Sequence, residues 1–248
     1  MSATFTFANG IRLFESDLLP AQIARYRTQA EPRHEPVEEG WFDRVLDEAP
    51  PGRFTFVDIG AALGYYAILV RRRRPDARIV AVDPNPDFHA RFAETLALNG
   101  LGARDVELVR VAVAPHPGIV AFALNSYGAH LAPEVALPKR RLWPFGRGAD
   151  MPPGVIAVEA VDLDGLLARV GVEVDLAKLD IQGHELSVLE ASAMLADGRG
   201  PRTWIIGTHG ADIHAGVRDL LARRHDILFE DQAPPDQPDG IVVARRRD

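Results

Sequence analysis

Short apolar runs alternate with amphipathic stretches along most of the chain, which predicts a sheet of mainly parallel strands flanked by helices. The amphipathic stretch after the second run, for example, repeats Phe88, Phe92 and Leu96 at helical spacing. Strand–helix alternation pairs strands in parallel through right-handed crossovers, so the pattern predicts a doubly wound α/β fold. The predicted core strands lie within 54–59, 77–83, 106–113, 175–183 and 204–210.

The two ends of the chain depart from this alternation. Residues 1–37 are mixed in pattern, and we interpret them as an N-terminal addition on the substrate side or at an oligomer contact, beside a main domain at 38–248. The runs 226–229 and 240–244 are separated only by a turn-rich segment. A short connection favours antiparallel pairing, which we expect at the edge of the sheet.

The pattern also disappears between residues 125 and 154, which predicts a long inserted loop. Long loops in compact domains are usually functional or disordered. Aromatic and basic residues mix within it, including Trp143 and Phe145. Two interpretations stay open: the loop folds over a substrate, or it is a surface loop that these two rings anchor.

Composition narrows the class of protein. The 248 residues carry a formal charge of −7, which argues against a dedicated nucleic-acid partner because phosphate binding needs clustered Lys and Arg. The chain has no cysteine, and this excludes disulfides, thiol nucleophiles and cysteine-ligated zinc. No apolar run approaches the roughly 18 residues of a membrane span. We therefore expect a soluble cytoplasmic protein with no membrane partner. A homo-oligomer stays open, because nothing in the sequence decides the oligomeric state.

Polar residues stand where the predicted strands end. Asp58 and Gly60 close the first core strand, Asp83 the second, Asp180 the fourth and His209 the fifth. In an open parallel sheet the carboxyl ends of the strands form the ligand-binding rim. The sequence therefore predicts a cofactor cleft at this rim.

The spacing within the cleft favours an adenosyl cofactor. Asp83 follows Gly60 by about 20 residues, the interval at which a carboxylate reaches a ribose held by a glycine turn. The turn itself is G-x-x-x-G, whereas a pyrophosphate site uses G-x-G-x-x-G. Asp58 would also place negative charge near a phosphate. Both points favour S-adenosylmethionine over a nicotinamide dinucleotide.

Several motifs together resemble the FkbM family of S-adenosylmethionine-dependent methyltransferases. The resemblance spans about residues 38–210. Its most specific parts are the G-Y-Y ending of the glycine motif, the D-P-N-P after the second strand and the K-[IL]-D-x-x-G-x-E block. They stand here as VDIGAALGYY at 57–66, VDPNP at 82–86 and KLDIQGHE at 178–185.

This resemblance implies a Rossmann-like class I methyltransferase fold with a seven-stranded sheet and an antiparallel last strand. It implies O-methylation of a hydroxylated small molecule, such as a sugar, glycoside or polyketide-type natural product. The methionine part would be held around Asp58, the ribose by Asp83 and the adenine near 112–114. The full set of expected cofactor contacts is Asp58, Gly60, Ala61, Gly64, Tyr65, Asp83, Pro84, Ala112, Val113 and Asp180.

The chain departs from the family pattern at three of these motif positions. Ala62 stands where Asn is usual, Asp83 where Glu is common, and Gln182 where Glu is usual. The change at Asp83 keeps the carboxylate. The other two remove polarity or charge, so they bear on cofactor contacts and on the acceptor.

Methyl transfer to a neutral hydroxyl needs a group that takes its proton. The candidate catalytic residues are His209, Asp180 and His184, and His209 is favoured because an ordinary histidine pKa near 6.5 suits a base. No metal site is predicted, since Asp180 and Glu185 alone offer too few oxygens. Two alternatives stay open, an NAD-linked oxidoreductase of Rossmann-like fold and a non-catalytic cofactor-binding scaffold.

Overall fold

A seven-stranded sheet with helices on both faces forms the centre of the protein. The computed structural model describes residues 3–125, 128–135, 137 and 151–247. The strands are β1 (Thr4–Thr6), β2 (Arg12–Phe14), β3 (Thr55–Ile59), β4 (Arg78–Val82), β5 (Glu107–Val109), β6 (Ala112–Val113), β7 (Gly118–Ala123), β8 (His130–Leu131), β9 (Val155–Val161), β10 (Leu176–Leu179), β11 (Thr203–Thr208), β12 (His225–Asp231) and β13 (Gly240–Arg246). The α-helices are α1 (Pro20–Thr28), α2 (Pro36–Glu48), α3 (Tyr65–Arg73), α4 (Pro86–Leu98), α5 (Leu163–Val170), α6 (Glu185–Glu190), α7 (Ala193–Ala196) and α8 (Ala211–Leu221).

The order of the central sheet is β12-β13-β11-β10-β3-β4-β5. Strands β10, β3, β4 and β5 pair in parallel, and β13 runs antiparallel to both of its neighbours. This confirms the predicted class I methyltransferase fold, in which the last strand of the chain inserts beside the fifth. All five residues of β3 are buried, as expected for a central strand covered on both faces.

The helix starts follow local capping chemistry. Asn85 accepts a hydrogen bond from the backbone N–H of Asp87, and Pro86 occupies the first position of α4. Asp162 caps α5 in the same way, through the N–H of Gly165. Both caps confirm the expectation from sequence. They could be predicted because an N-cap depends only on residues close in the chain.

One strand prediction was wrong. Residues 106–113 read as a single apolar strand, but the chain leaves the central sheet after β5 and enters a second sheet at β6. The second sheet has the order β6-β9-β7-β8. The apolar pattern of residues 106–113 does not show that the chain changes from one sheet to the other, because strands of either sheet have the same hydrophobic pattern.

The predicted loop at 125–154 leaves the second sheet where its two ends meet. The N–H of Leu124 donates to the carbonyl of Gly154 at 2.6 Å, and β8 pairs with β7. The two interpretations of Trp143 and Phe145 concern positions outside the described residues. Within the described part of the chain, no helix is long and apolar enough to cross a bilayer.

The N-terminal segment packs against the same apolar core as the central sheet. A hairpin of β1 and β2 precedes α1, and Phe7, Ile11 and Tyr26 are fully or almost fully buried. The ring of Phe7 makes edge contacts with Tyr26 and Tyr65, both at 5.0 Å between centroids. These contacts join the segment to α3, the helix that follows the glycine turn.

Phe7→Ala is therefore expected to lower the free energy of unfolding by about 3 to 5 kcal/mol, as for other buried aromatic truncations. Ile119→Ala, at a side chain 58% exposed, should change it by less than about 0.5 kcal/mol. Urea denaturation of both variants measures the difference. Equal effects would mean that the N-terminal segment does not contribute to the cooperative core.

Candidate functional site

A cavity of about 460 Å³ opens at the carboxyl ends of β3, β4 and β10. Rim residues from these strands form one wall. The N-terminal segment contributes Leu13, Leu19 and Arg25 to another, and the second sheet contributes Phe122 and Leu131. The cavity therefore depends on three parts of the fold that are distant in sequence.

The glycine turn after β3 is fixed by a close backbone approach. Gly60 has φ +86°, and a Cβ there would lie 1.8 Å from the carbonyl oxygen of Asp180. Gly64 has φ +82°, and a Cβ there would lie 2.6 Å from the ring of Phe92. Neither position can accept a side chain without displacing its neighbour.

Both oxygens of Asp58 are buried and accept no well-formed hydrogen bond from the described residues, although the backbone N–H of Ala67 lies near the carboxylate. Asp58 is 1% exposed, lines the cavity and lies beside Lys178 in the pairing of β3 with β10. Burial, opposed by Lys178, raises its pKa to about 7. An unsatisfied buried carboxylate that faces a cavity is a natural partner for a cationic ligand.

Asp83 is held by backbone donors at the end of β4. Its carboxylate accepts from the N–H of Ala62 at 2.9 Å and of Asn85 at 2.8 Å, and burial raises its pKa to about 6. Nine of the ten expected cofactor positions line the cavity: Asp58, Gly60, Ala61, Tyr65, Asp83, Pro84, Ala112, Val113 and Asp180. Gly64 does not belong to the lining, whereas Ala62 and Leu63, which were not expected, do.

Both unusual departures from the family motif have left-handed backbone. Ala62 has φ 44° and Gln182 has φ 56°. Non-glycine residues adopt this region at a cost, and Asn adopts it more readily than Ala. Ala62 thus carries backbone strain in the turn that presents its N–H to Asp83.

Lys178 is buried among carboxylates. Its Nζ lies 2.8 Å from Oδ2 of Asp180, 3.2 Å from Oε1 of Glu38 and 4.9 Å from the ring centre of Tyr66. The sequence interpretation did not assign this lysine a role. The signal was present, because side chains two positions apart on a strand point to the same face.

Asp180 lines the cavity and has both oxygens engaged. Oδ2 accepts from Lys178, and Oδ1 accepts from Nε2 of Gln182 at 3.2 Å. Burial alone would raise its pKa, but Lys178 and His209 outweigh burial and hold the pKa below its ordinary value. Asp180 is therefore an anion at neutral pH.

His209 has a different environment from the one expected. Its Nδ1 lies 3.0 Å from Oε1 of Glu185, and its Nε2 lies 3.3 Å from Oδ1 of Asp239. Burial lowers its pKa, but the Glu185 hydrogen bond and the charges of Asp180, Glu185 and Asp239 outweigh burial and raise the pKa to about 9. The ordinary pKa assumed for His209 is therefore wrong, because three carboxylates surround the ring.

The structure does not bring all three candidate catalytic residues to the cavity. Asp180 lines it, whereas His209 and His184 do not belong to its lining. Nε2 of His184 lies 3.1 Å from the carbonyl oxygen of Leu131 in the second sheet. The catalytic roles of these residues stay predictions.

Three carboxylates that line the cavity lie close together, and two of them were not predicted from the sequence. Oxygens of Glu35, Asp180 and Asp239 lie within 4.8 Å of one another. Burial and the charge of Asp180 raise the pKa of Asp239 to about 6. Glu35 precedes α2 and Asp239 precedes β13, so no local pattern in the sequence indicates that they meet.

The family model described as "Methyltransferase FkbM domain" matches residues 58–229, which confirms the resemblance found in the motifs. A comparison with curated proteins gives no match.

Solved structures with a similar fold share little sequence. TrmK of M. capricolum with S-adenosylhomocysteine is 11% identical, with a TM-score of 0.46 over 83% of this chain and 67% of that one. A putative rRNA-methylase of Clostridium thermocellum is 10% identical, with a TM-score of 0.49 over 84% and 94%. Fibrillarin of Methanococcus jannaschii, a pre-rRNA processing protein, is 10% identical, with a TM-score of 0.46 over 78% and 66%. The family match, rather than these distant similarities, carries the assignment.

Gly60→Ala tests the close approach of the turn to Asp180. We expect a loss of about 2 to 5 kcal/mol in the free energy of unfolding, from left-handed strain and from overpacking together. Ligand affinity at the cavity should fall more than tenfold, because the turn must move.

Gly100→Ala is the matched control. Gly100 has φ +76°, and a Cβ there meets nothing within 4 Å, so only the strain of about 1 to 2 kcal/mol applies. Thermal and urea denaturation of both variants separate the two contributions. An equal loss of unfolding free energy in both variants would contradict the role assigned to the contact between Gly60 and Asp180.

Proposed function

The chain belongs to the FkbM methyltransferase family, and we propose that it methylates a hydroxyl of a small molecule such as a sugar, a glycoside or a polyketide-type natural product. Its cofactor is S-adenosylmethionine, as the family implies. Methyl transfer from this cofactor follows from membership of the family. The hydroxyl and the class of acceptor are the proposed part.

The residues of the rim fit S-adenosylmethionine. The buried carboxylate of Asp58 suits a cationic amino group, and the turn from Gly60 to Leu63 lines the cavity beside it. Asp83 would hold the ribose, and Ala112 and Val113 would contact the adenine. When bound, S-adenosylmethionine supplies an electrophilic methyl group on a sulfonium ion.

The same residues fit a nicotinamide dinucleotide poorly. Its pyrophosphate would approach Asp58, whose buried carboxylate would repel it. Together with the family match, this sets aside the oxidoreductase alternative.

One observation supports the proposal of a small-molecule acceptor. The cavity extends beyond the residues proposed to bind the cofactor. It continues between Leu19, Gln22 and Arg25 of the N-terminal segment and Asp239 before the last strand. A concave volume of about 460 Å³ lies in the range typical of small-molecule sites. The N-terminal segment thus supports an acceptor that enters the protein and is partly enclosed.

The charge of the cavity argues against a polyanionic acceptor. In the described part of the chain its lining has five carboxylates and only two cationic side chains, and phosphates would be repelled. The carboxylates are Glu35, Asp58, Asp83, Asp180 and Asp239, and the cations are Arg25 and Lys178. A neutral hydroxylated acceptor is compatible with this field, and the nearby carboxylates are possible acceptors for its proton.

The raised pKa of Asp58 predicts a pH dependence of cofactor binding. At pH well below 7 the empty site holds Asp58 protonated, and a cationic amino group binds the ionised form. Affinity should therefore rise with pH through about 7, by up to tenfold per unit below that value. Calorimetric titration between pH 5.5 and 8.5 measures the slope.

Asp58→Asn should weaken binding and flatten this slope, with only the smaller effect of Asp83 left near pH 6. Asp76→Asn, at an exposed residue, is the control and should behave as the wild type. A wild-type affinity that does not vary with pH would contradict the assignment of Asp58.

The acceptor class is tested by release of S-adenosylhomocysteine. Sugars, glycosides and polyketide alcohols should support turnover, whereas RNA and free carboxylic acids should not. Turnover only with RNA would overturn the proposal. Tight cofactor binding with no turnover on any acceptor would favour the non-catalytic scaffold.

A further inference from the structure

Asp239 is the most available of the three carboxylates that lie close together in the lining of the cavity. In the part of the chain that the structure describes, no group donates a hydrogen bond to its side-chain oxygens, although His209 lies nearby. Its side chain is 23% exposed and lines the cavity. His209 lies 3.3 Å from Oδ1, so the other oxygen, Oδ2, can reach a ligand without first losing a partner.

The other two carboxylates are more committed. Asp180 has one oxygen on Lys178 and the other on Gln182. Glu35 accepts from the hydroxyl of Tyr66 at 2.6 Å, and the residue is 8% exposed. Either would have to give up a contact or a closed environment to take a proton and pass it to water.

Asp239 also lies within reach of the cofactor rim. Its carboxylate is within 4.8 Å of that of Asp180, and the backbone carbonyl of Asp180 packs directly against Gly60. A single residue, Asp180, therefore contacts the glycine turn through its backbone and lies close to Asp239 through its side chain. This places Asp239 beside the region where cofactor and acceptor meet.

Asp239 lies next to His209, whose ring is held in place by Glu185. Glu185 is fully buried and accepts from the backbone N–H groups of Ile181 and Gly183. Its Oε1 also holds Nδ1 of His209, which directs Nε2 toward Asp239 at 3.3 Å. The imidazole cannot turn away without breaking the bond to Glu185.

We propose that Asp239 is the catalytic base that takes the proton of the acceptor hydroxyl, and that His209 is a positioning residue held by Glu185. The inference rests on the proposed function, because only a hydroxyl acceptor needs this step. The proposed base is therefore Asp239, in the segment before β13, and not His209 at the end of β11 as predicted from the sequence.

The step balances in atoms and charge. The acceptor oxygen forms a bond to the methyl carbon while the carbon–sulfur bond breaks, and that electron pair stays on sulfur. The hydroxyl proton moves to a carboxylate oxygen of Asp239. The sulfonium charge and the carboxylate charge disappear together, which is favourable in a partly buried site.

The surrounding charges suit this role. Burial, Asp180 and Glu35 raise the pKa of Asp239, His209 and Lys178 lower it, and the result is about 6. A carboxyl group with this pKa is ionised at neutral pH and is more basic than an ordinary aspartate. The exposed fraction of the side chain allows the proton to leave to water.

Asp239→Asn tests the base. With an unactivated alcohol as acceptor, kcat should fall about 10²- to 10⁴-fold, while the affinity for S-adenosylmethionine changes less than threefold. With S-adenosylmethionine saturating, so that Asp58 and Asp83 do not contribute through cofactor binding, the acid limb of the wild-type profile of kcat/KM for the acceptor, centred near pH 6, should be absent. An acceptor that is already ionised, such as a nitrophenol, should lose less than tenfold.

Asp236→Asn is the matched control in the same segment. Asp236 is exposed and has φ 62°, a conformation that Asn tolerates, so its kinetics should equal those of the wild type. His209→Gln should move the acid limb to higher pH, because Asp239 loses a neighbouring cation. A purely structural role for His209 would lower kcat without this shift.

A measurement without turnover complements the kinetics. Carboxyl ¹³C NMR of the cofactor-free protein should show a resonance that titrates near pH 6 and is absent from Asp239→Asn. A midpoint for Asp239 near the ordinary value of about 3.9 would overturn the inference.

The kinetic outcomes separate the two proposals. Hydroxyl turnover that is unchanged in Asp239→Asn, or equally reduced with the nitrophenol, overturns the base role alone. The same holds if Glu35→Gln, and not Asp239→Asn, removes the acid limb. Wild-type turnover on amines, thiols or RNA but on no hydroxyl overturns both proposals.

Discussion

The backbone contact between Gly60 and Asp180 is the constraint on which the site depends. The turn after β3 can lie against the end of β10 only because position 60 has no side chain. The pairing of β3 with β10 that precedes this contact sets Asp58 beside Lys178. The glycine turn and the residues that follow β10 are therefore fixed against each other.

A second constraint is the concentration of negative charge around that point. Buried carboxylates repel one another and lose hydration, which is why the pKa values of Asp58, Asp83 and Asp239 are raised. Lys178 and protonated His209 offset part of this cost. The remaining charge favours a cationic cofactor and disfavours a polyanionic acceptor, so the same electrostatics that weaken the empty site select its ligands.

The enclosing walls come from parts of the chain outside the glycine motif. Tyr65 illustrates how they are joined: its ring packs on Phe7, and its hydroxyl donates to Glu39 at 2.8 Å. The N-terminal segment, the start of α2 and the helix after the turn thus form one packed unit.

The sequence by itself determined the elements and the rim. Hydrophobic periodicity, glycine turns and caps such as Asn85 act over a few residues, so the strand ends at Asp58, Asp83 and Asp180 could be predicted together with the family. The split of 106–113 between two sheets could not be predicted, because an apolar strand does not identify its partner. The meeting of Asp239 with Glu35 and the protonation of His209 were decided only by the tertiary structure. They depend on burial and on charges contributed by distant segments, and no local pattern carries that information.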